Sequence, residues 1–196
     1  MNWVQWHEEY GIPGSSLARR LTVVQDHIRT ALQSFVTPRL ISMCAGDGRD
    51  ILPLLPAGAN ALLVELDPSL AQRAQGHTNV VIRNEDAGAI DAYLSFGRAD
   101  IVLACGVFGN VSAADVRRTI ESLPMLLSPG GQVIWTRAGD ESAFVRDCFA
   151  ESGFDEVAFT APADAKFRVG THRMSAAPTP PIPGTRLFRF LDQSSV

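Results

Sequence analysis

The sequence holds three cysteines, Cys44, Cys105 and Cys148, and none stands in CxxC spacing. An odd, scattered set supports neither a disulfide framework nor a structural zinc site, so no metal is expected and all three read as small buried hydrophobes. Also missing is an apolar run of about 18 residues, the length a bilayer-crossing helix needs. The opening MNWVQWHEEY lacks the basic and apolar regions of a secretory leader. The expectations are no membrane and a cytoplasmic chain. Positive charge is not in excess either: 17 Lys and Arg stand against 21 Asp and Glu, a net −4. That balance argues against a nucleic-acid partner. No internal repeat appears. What remains is 196 residues at 46% hydrophobic, enough for one sizeable core and a single domain over 1–196, as a monomer or a homodimer.

Apolar clusters of strand length alternate with segments of helical period. The first helix is expected in SSLARRLTVVQDHIRTALQSF, capped by Ser15 or Ser16, with Leu17, Leu21, Val24, Ile28, Leu32 and Phe35 recurring at spacings of three and four. Strands are expected at Leu40–Cys44, Ala61–Glu65, Val80–Arg83, Ile101–Cys105 and Gln132–Arg137, each nearly all apolar, as when both faces of a parallel sheet are covered. Helices are expected near Asp50–Leu55, Pro68–Gln75, Ala87–Phe96, Ala113–Leu127 and Glu141–Ser152, with Ser112 and Asp115 in capping-box-like spacing and Pro129-Gly130-Gly131 as a turn. This alternation predicts an α/β fold, a doubly wound, mostly parallel sheet. The tail departs from it. Val157–Thr160 and RLFRFL, Arg186 to Leu191, read as an antiparallel hairpin whose long connection, Ala161 to Gly184, carries APTPPIPG, either a stiff linker or part of the fold. The chain thus divides into an N-terminal cap segment and helix (1–38), an α/β core (39–155) and a C-terminal β-hairpin with a long connection (156–196).

Within the core, LISMCAGDGRDIL runs from a buried strand into glycines. In an open α/β sheet, ligands bind beyond the carboxyl ends of the strands, where glycine lets backbone approach a ligand that a Cβ would repel. An acid ending the next strand commonly takes ribose hydroxyls, and Glu65 stands about 20 residues beyond the glycines. A nucleoside ligand follows. A dinucleotide fingerprint wants a third Gly or Ala where this chain has Ile51. Asp47 and Asp50 would repel a pyrophosphate at a helix amino terminus, so a cationic ligand suits the loop better than NAD.

These residues resemble class I S-adenosylmethionine (SAM)-dependent methyltransferases from Leu40 to Phe154 and on toward the end. LISMCAGDGRD stands at the glycine-rich first motif, LLVELDPSL is similar to the second, NEDA to the third, ADIVLACGVFGNVS to the fourth-strand segment and LLSPGGQVIWTR to the turn into strand five. The resemblance implies a seven-stranded sheet with helices on both faces and a C-terminal antiparallel strand. It implies SAM as cofactor and in-line methyl transfer to a small-molecule acceptor. Cofactor contacts are then expected from Cys44, Ala45, Gly46, Asp47, Gly48 and Asp50, from Glu65, Leu66 and Asp67, from Asp86 (at the adenine amino group) and Ala87, and from Cys105, Gly106 and Val107. Arg20, on the edge of the first helix's apolar stripe, is the candidate for a cofactor carboxylate. Two family positions differ: Ser42 and Cys44 stand where the family often has an acid and a glycine. Cys44 and Cys105 read as small buried residues rather than nucleophiles.

Methyl transfer needs an acceptor held in line and water kept out, with a general base only if the acceptor must lose a proton. Two segments outside the alternating core could shape that acceptor site. The first carries Trp3, Trp6, His7 and Tyr10; KFRVGTHRM carries Phe167, His172 and Arg173. Trp6, Tyr10, Phe108, Phe167 and Arg173 are the expected acceptor contacts, and His7 and His172 the candidate bases. A protein that holds SAM without turnover and an NAD(P)-dependent oxidoreductase stay open as alternatives.

Overall fold

The computed structural model describes residues 9–139 and 141–191. Seven strands, β1 (Arg39–Met43), β2 (Asn60–Val64), β3 (Val80–Arg83), β4 (Ala99–Ala104), β5 (Leu127–Ala138), β6 (Phe154–Thr160) and β7 (Phe167–Met174), form one sheet in the order β3-β2-β1-β4-β5-β7-β6. β1 to β5 run parallel, and β7 lies antiparallel to both β5 and β6. Chain order reverses between β1 and β4, and such a switch point opens a crevice at the carboxyl ends of the strands.

Period-two alternation sends each strand's side chains to two cores. Ile41, Met43, Leu62, Val64, Val102 and Trp135 pack on one face, and Leu40, Ala61, Leu63, Ile101, Leu103 and Ile134 on the other. The second face is closed by α1 (Ser16–Leu32), through Val24, Ile28 and Ala31. The Ser15 hydroxyl caps α1 by accepting from Ala18 N at 3.0 Å. Ile28 is fully buried, so Ile28→Ala would remove about 2–5 kcal/mol. The remaining helices are α2 (Pro68–Arg73), α3 (Asp91–Leu94), α4 (Ala113–Ser122) and α5 (Ser142–Glu151). Ser112 caps α4, accepting from Asp115 N at 3.1 Å. No helix among the described residues is long and apolar enough to cross a membrane.

Three expectations are corrected. After β1 there is no α-helix but a 3-10 turn, Leu52–Leu54, because Pro53 and Pro56 remove the N–H groups a helix would use. Pro129-Gly130-Gly131 lies inside β5 at a register shift, where Gly130 takes φ 72°. Third, the hairpin partner of β6 is β7, reached by residues 161–166, and Arg186–Leu191 is no strand; it makes single bridges, Ala89 to Arg186 and Val111 to Phe190. The long connection therefore follows the hairpin instead of interrupting it. Gly170 shows what fixes β7: a Cβ there would lie 2.4 Å from Trp135 Cε2, so the indole ring of β5 occupies the space a side chain would take.

Candidate functional site

A cavity of about 410 Å³ opens at the carboxyl ends of β1, β2 and β4, within the range of small-molecule sites. Its floor begins with strain. Cys44 follows β1 at φ 52°, a left-handed conformation costing a non-glycine residue about 1–2 kcal/mol. This is the position where the resemblance places a glycine. Gly48, at φ 72°, is required twice: a Cβ would also meet Leu52 Cδ1 at 2.6 Å and Leu63 Cδ2 at 2.7 Å.

The turn orients a carboxylate. Gly46 N donates to Glu65 Oε2 at 2.8 Å and Asp67 N to Oε1 at 2.9 Å, and Glu65 is buried. Each oxygen keeps lone-pair capacity for a hydroxyl donor in the cavity. Asn84 Nδ2 holds the same corner, donating to Glu65 O at 2.9 Å and Leu66 O at 2.7 Å. The Asp67 carboxylate is turned to α2, accepting from Ser69 N at 2.8 Å and Leu70 N at 3.2 Å. Asp86 accepts from Gly88 N at 2.8 Å and is ion-paired with Arg186. Burial alone would raise the Asp86 pKa, but the Arg186 hydrogen bond, the Gly88 N–H and the nearby arginine charges outweigh it and hold it below the usual value.

The opposite end gathers Arg20, Tyr10, Arg49, Asp50, Cys105 and Gly106. Arg20 donates to the Tyr10 hydroxyl, and the Arg49 guanidinium lies 4.7 Å from the Tyr10 ring centroid while pairing with Asp47. Gly106 N donates to Thr136 Oγ1 at 2.8 Å, tying β4's end to β5. Asp50 Oδ1 is buried without a hydrogen-bond partner among the described residues. Burial pushes this carboxyl up to about 6. Burial, and then neighbouring carboxylates, also raise both cavity thiols: Glu65 and Asp86 act on Cys44, Asp50 on Cys105. Both are protonated at neutral pH and poor nucleophiles.

Cys44, Ala45, Asp50, Glu65, Leu66, Asp67, Asp86, Ala87, Cys105, Gly106, Arg20 and Tyr10 all line this cavity. Gly46, Asp47 and Gly48 shape the loop without lining it. Val107 and Phe108 are fully buried in the core, and Phe167 is buried on the opposite face among the α1 contacts. Arg173 faces Asp155 at 3.8 Å on the exposed end of β7. His172 is the clearest correction. It lies opposite Val133 in the sheet, 1% exposed, stacked on Phe149 with centroids 4.3 Å apart, and accepts from Trp135 Nε1 at 3.1 Å. Burial lowers its pKa to about 4, so it is a neutral core residue away from the cavity. His7, Trp3 and Trp6 lie outside the described residues. Among the described residues, no three His, Cys, Asp or Glu side chains form a group that could hold a metal ion. Wall residues the sequence reading missed are Leu21, Arg49, Pro68, Leu70 and Phe190. Arg49 was within reach, since it sits inside the glycine loop; Phe190 had no local signal.

The sequence matches no protein-family model and no curated protein. Solved structures do match. Magnesium protoporphyrin IX methyltransferase (ChlM) from Synechocystis PCC 6803 with bound SAM is similar over 89% of this chain and 92% of that one, at 16% identity and TM-score 0.69. N-methyltransferase NodS from Bradyrhizobium japonicum WM9, in complex with S-adenosyl-L-homocysteine, is similar over 84% of this chain and 90% of that one, at 17% identity and TM-score 0.64. A possible exported protein from Bordetella parapertussis is similar over 78% and 67%, at 18% identity and TM-score 0.63. The likeness is one of fold: six co-directional strands with β7 reversed are the class I methyltransferase fold.

Proposed function

We propose that the chain is a SAM-dependent methyltransferase acting on a small-molecule acceptor. One observation carries the reading: the switch-point cavity presents a fixed carboxylate at the end of β2 and, on the loop after β1, a buried carboxyl oxygen with no partner among the described residues. The fit to SAM is chemical. Glu65 would take the ribose hydroxyls and Asp86 the adenine amino group, Asp50 the ammonium group of the methionine part, and Arg20 its carboxylate. Asp50 then does what an acid at Ser42 would do, and Ser42 is buried at 1% exposure, off the cavity wall.

When bound, SAM supplies a methyl group already activated by its sulfonium. The chain's own contribution is to bind, orient and exclude water, which suffices where positioning carries the rate. Tyr10 and Arg49 wall the cavity next to Arg20, and the 9–15 segment with Tyr10 packs against α1. NAD is disfavoured on this geometry. The loop has no helix of useful length to offer a pyrophosphate, and Ile51 is fully buried where a dinucleotide fold keeps its third small residue.

Calorimetry with S-adenosylhomocysteine and with NAD tests the cofactor, and labelled methyl transfer from SAM onto a panel of small amines, phenols and carboxylic acids tests turnover. The expected result is binding of S-adenosylhomocysteine alone and label on a panel member. NAD binding with no response to S-adenosylhomocysteine would falsify the assignment, and binding with no transfer would leave a SAM-holding protein without turnover.

A further inference from the structure

We propose that Arg186, on the segment that follows β7, is a positioning residue for the bound nucleoside: it holds the Asp86 carboxylate ready to accept from the adenine amino group, and so makes the site tell an amino from an oxo group on the base. The proposal rests on the assignment of Asp86 given above. Residues 175–191 run as a strap along one face of the sheet. Near the amino ends of the parallel strands, Thr179 N donates to Pro124 O at 3.1 Å and Arg98 Nη2 to Thr179 O at 2.8 Å. The strap then clamps the turn after β3, on which Asp86 stands. Gly184 N donates to Asp91 Oδ2 at 2.9 Å, Ile90 N to Thr185 O at 3.0 Å and Leu187 N to Gly88 O at 2.8 Å, and Ala89 bridges to Arg186.

Gly88 lets the two segments meet, since a Cβ there would collide with Phe188 O and lie 2.9 Å from Arg186 Nη1. Leu187 and Phe188, each 1% exposed, seat the strap in the core. The backbone on both sides of Arg186 is therefore held without help from its side chain. What the guanidinium adds is orientation and charge. Arg186 Nη1 donates to Asp86 Oδ2 while Gly88 N donates to Oδ1 at 2.8 Å, so a donor on each oxygen holds the carboxylate against rotation. The Asp86 side chain still keeps 52% of its surface exposed and lines the cavity, and each oxygen retains a lone pair for a donor there. Burial would raise the Asp86 pKa, and Arg186 is foremost among the groups that hold it down. An ionised carboxylate only accepts. It therefore suits adenine, which offers an amino donor, and repels hypoxanthine, which offers a carbonyl oxygen at the same place.

The test is calorimetry on the full chain with S-adenosylhomocysteine and with S-inosylhomocysteine, the analogue with oxygen in place of the adenine amino group. Wild type is compared with R186Q, R186M and R186K, and urea titration checks that each is folded. Wild type is expected to prefer S-adenosylhomocysteine by about tenfold or more, the size of a lost hydrogen bond to a charged group. R186Q and R186M are expected to cut that preference by about threefold or more, and R186K, which keeps a cation beside Asp86, to restore most of it. R186M keeps the apolar stem of the side chain and stands in if R186Q fails to fold. An arginine that only stabilised the strap would weaken both ligands equally. An unchanged ratio in the folded variants, or one that R186K does not restore, overturns the proposal. In a D86N background R186Q should leave the ratio unmoved; a further change there would mean that Arg186 acts other than through Asp86, and overturns it too. If wild type binds both ligands alike, the assignment of Asp86 to the amino group fails. If it binds neither, the nucleoside reading of the cavity fails, and the inference falls with either.

Discussion

At the β3-β2-β1-β4 side of the sheet, strand ends carry carboxylates, thiols and a left-handed cysteine around open space; at the β5-β7-β6 side, Trp135, Phe149, Phe154, Phe159 and His172 fill the space with rings. Both sides bury a titratable group, with opposite consequences. His172 has its ring stacked and a donor on Nδ1, and is neutral because burial outweighs the pull of the Glu156 carboxylate 3.7 Å from Nε2. Asp50 has a buried oxygen without a partner among the described residues, and its pKa rises for the same desolvation reason, yet it faces a cavity. The aromatic side is optimised for stability, the cavity side retains cost that a ligand can repay.

The largest expected effect breaks the aromatic side. Phe149 is fully buried against Phe108, Trp135, Phe154 and His172, so Phe149→Ala should lower unfolding free energy by about 3–5 kcal/mol in urea titration. Whatever fraction stays folded should bind S-adenosylhomocysteine with wild-type affinity, since no atom of Phe149 lines the cavity. A parallel fall in affinity would show that the two sides are coupled.

Second in size, Glu65→Ala should weaken S-adenosylhomocysteine binding by about 1–3 kcal/mol, because the ribose hydroxyls lose a charged acceptor and the Gly46 and Asp67 N–H groups lose theirs. Asp67→Ala should act mainly through the α2 cap. If Asp67→Ala shows the larger loss of binding, the roles of the two carboxylates are reversed.

What the sequence made legible follows distance along the chain. Glu65 lies 19 residues from Gly46 and meets it through neighbouring parallel strands, so strand–loop–strand spacing was enough to pair them. The same holds for β1, β2 and β3, which fall within a residue or so of their expected spans because their apolar runs are continuous. β7 was hidden because Gly170, Arg168, His172 and Arg173 break its pattern; Trp135, 35 residues away, is what makes Gly170 fit. Arg186–Leu191 deceived in the other direction. Its alternating apolar residues imitate a strand, while its partners are loop backbones 70 to 100 residues earlier, at Gly88, Asn110 and Val111.

Third, pH separates the two buried groups. Asp50 has its folded pKa raised from 3.8 to about 6, so its contribution favours folding below about 3.8 and is lost as pH rises through about 6. His172 has its folded pKa lowered from 6.5 to about 4, so its contribution is present above about 6.5 and lost as pH falls through about 4. Between these limits the two oppose each other. Asp50→Asn should therefore be more stable than wild type at pH 7, by about 1–2 kcal/mol, and lose that advantage toward pH 4. His172→Phe should do the reverse, gaining relative stability as the pH drops. Denaturant titrations from pH 4 to 8 read both slopes; His27, whose pKa burial also lowers, contributes equally to all three chains and cancels in the differences. Parallel curves for the three chains would sink the account of both groups.

The smallest effect sharpens the comparison at Cys44. Its left-handed φ of 52° costs about 1–2 kcal/mol, and glycine would remove that cost. Glycine also frees the unfolded chain, which costs about 0.4–1 kcal/mol, and it gives up the thiol's contacts with the core cluster around Met43 and Tyr93. The terms nearly cancel, so Cys44→Gly should shift unfolding free energy by less than about 1 kcal/mol in either direction. Cys44→Val has no such compensation. A β-branched residue resists the left-handed region more strongly than cysteine does, so the valine variant should be clearly less stable than the glycine variant. The thiol itself is protonated and unreactive at neutral pH, which makes the backbone conformation the property under test. Binding of S-adenosylhomocysteine should survive in Cys44→Gly, because the Gly46 to Glu65 hydrogen bond depends on the turn and the turn is what glycine preserves. A glycine variant that folds with wild-type stability but no longer binds would give the thiol a direct role in the cavity and overturn the conformational explanation.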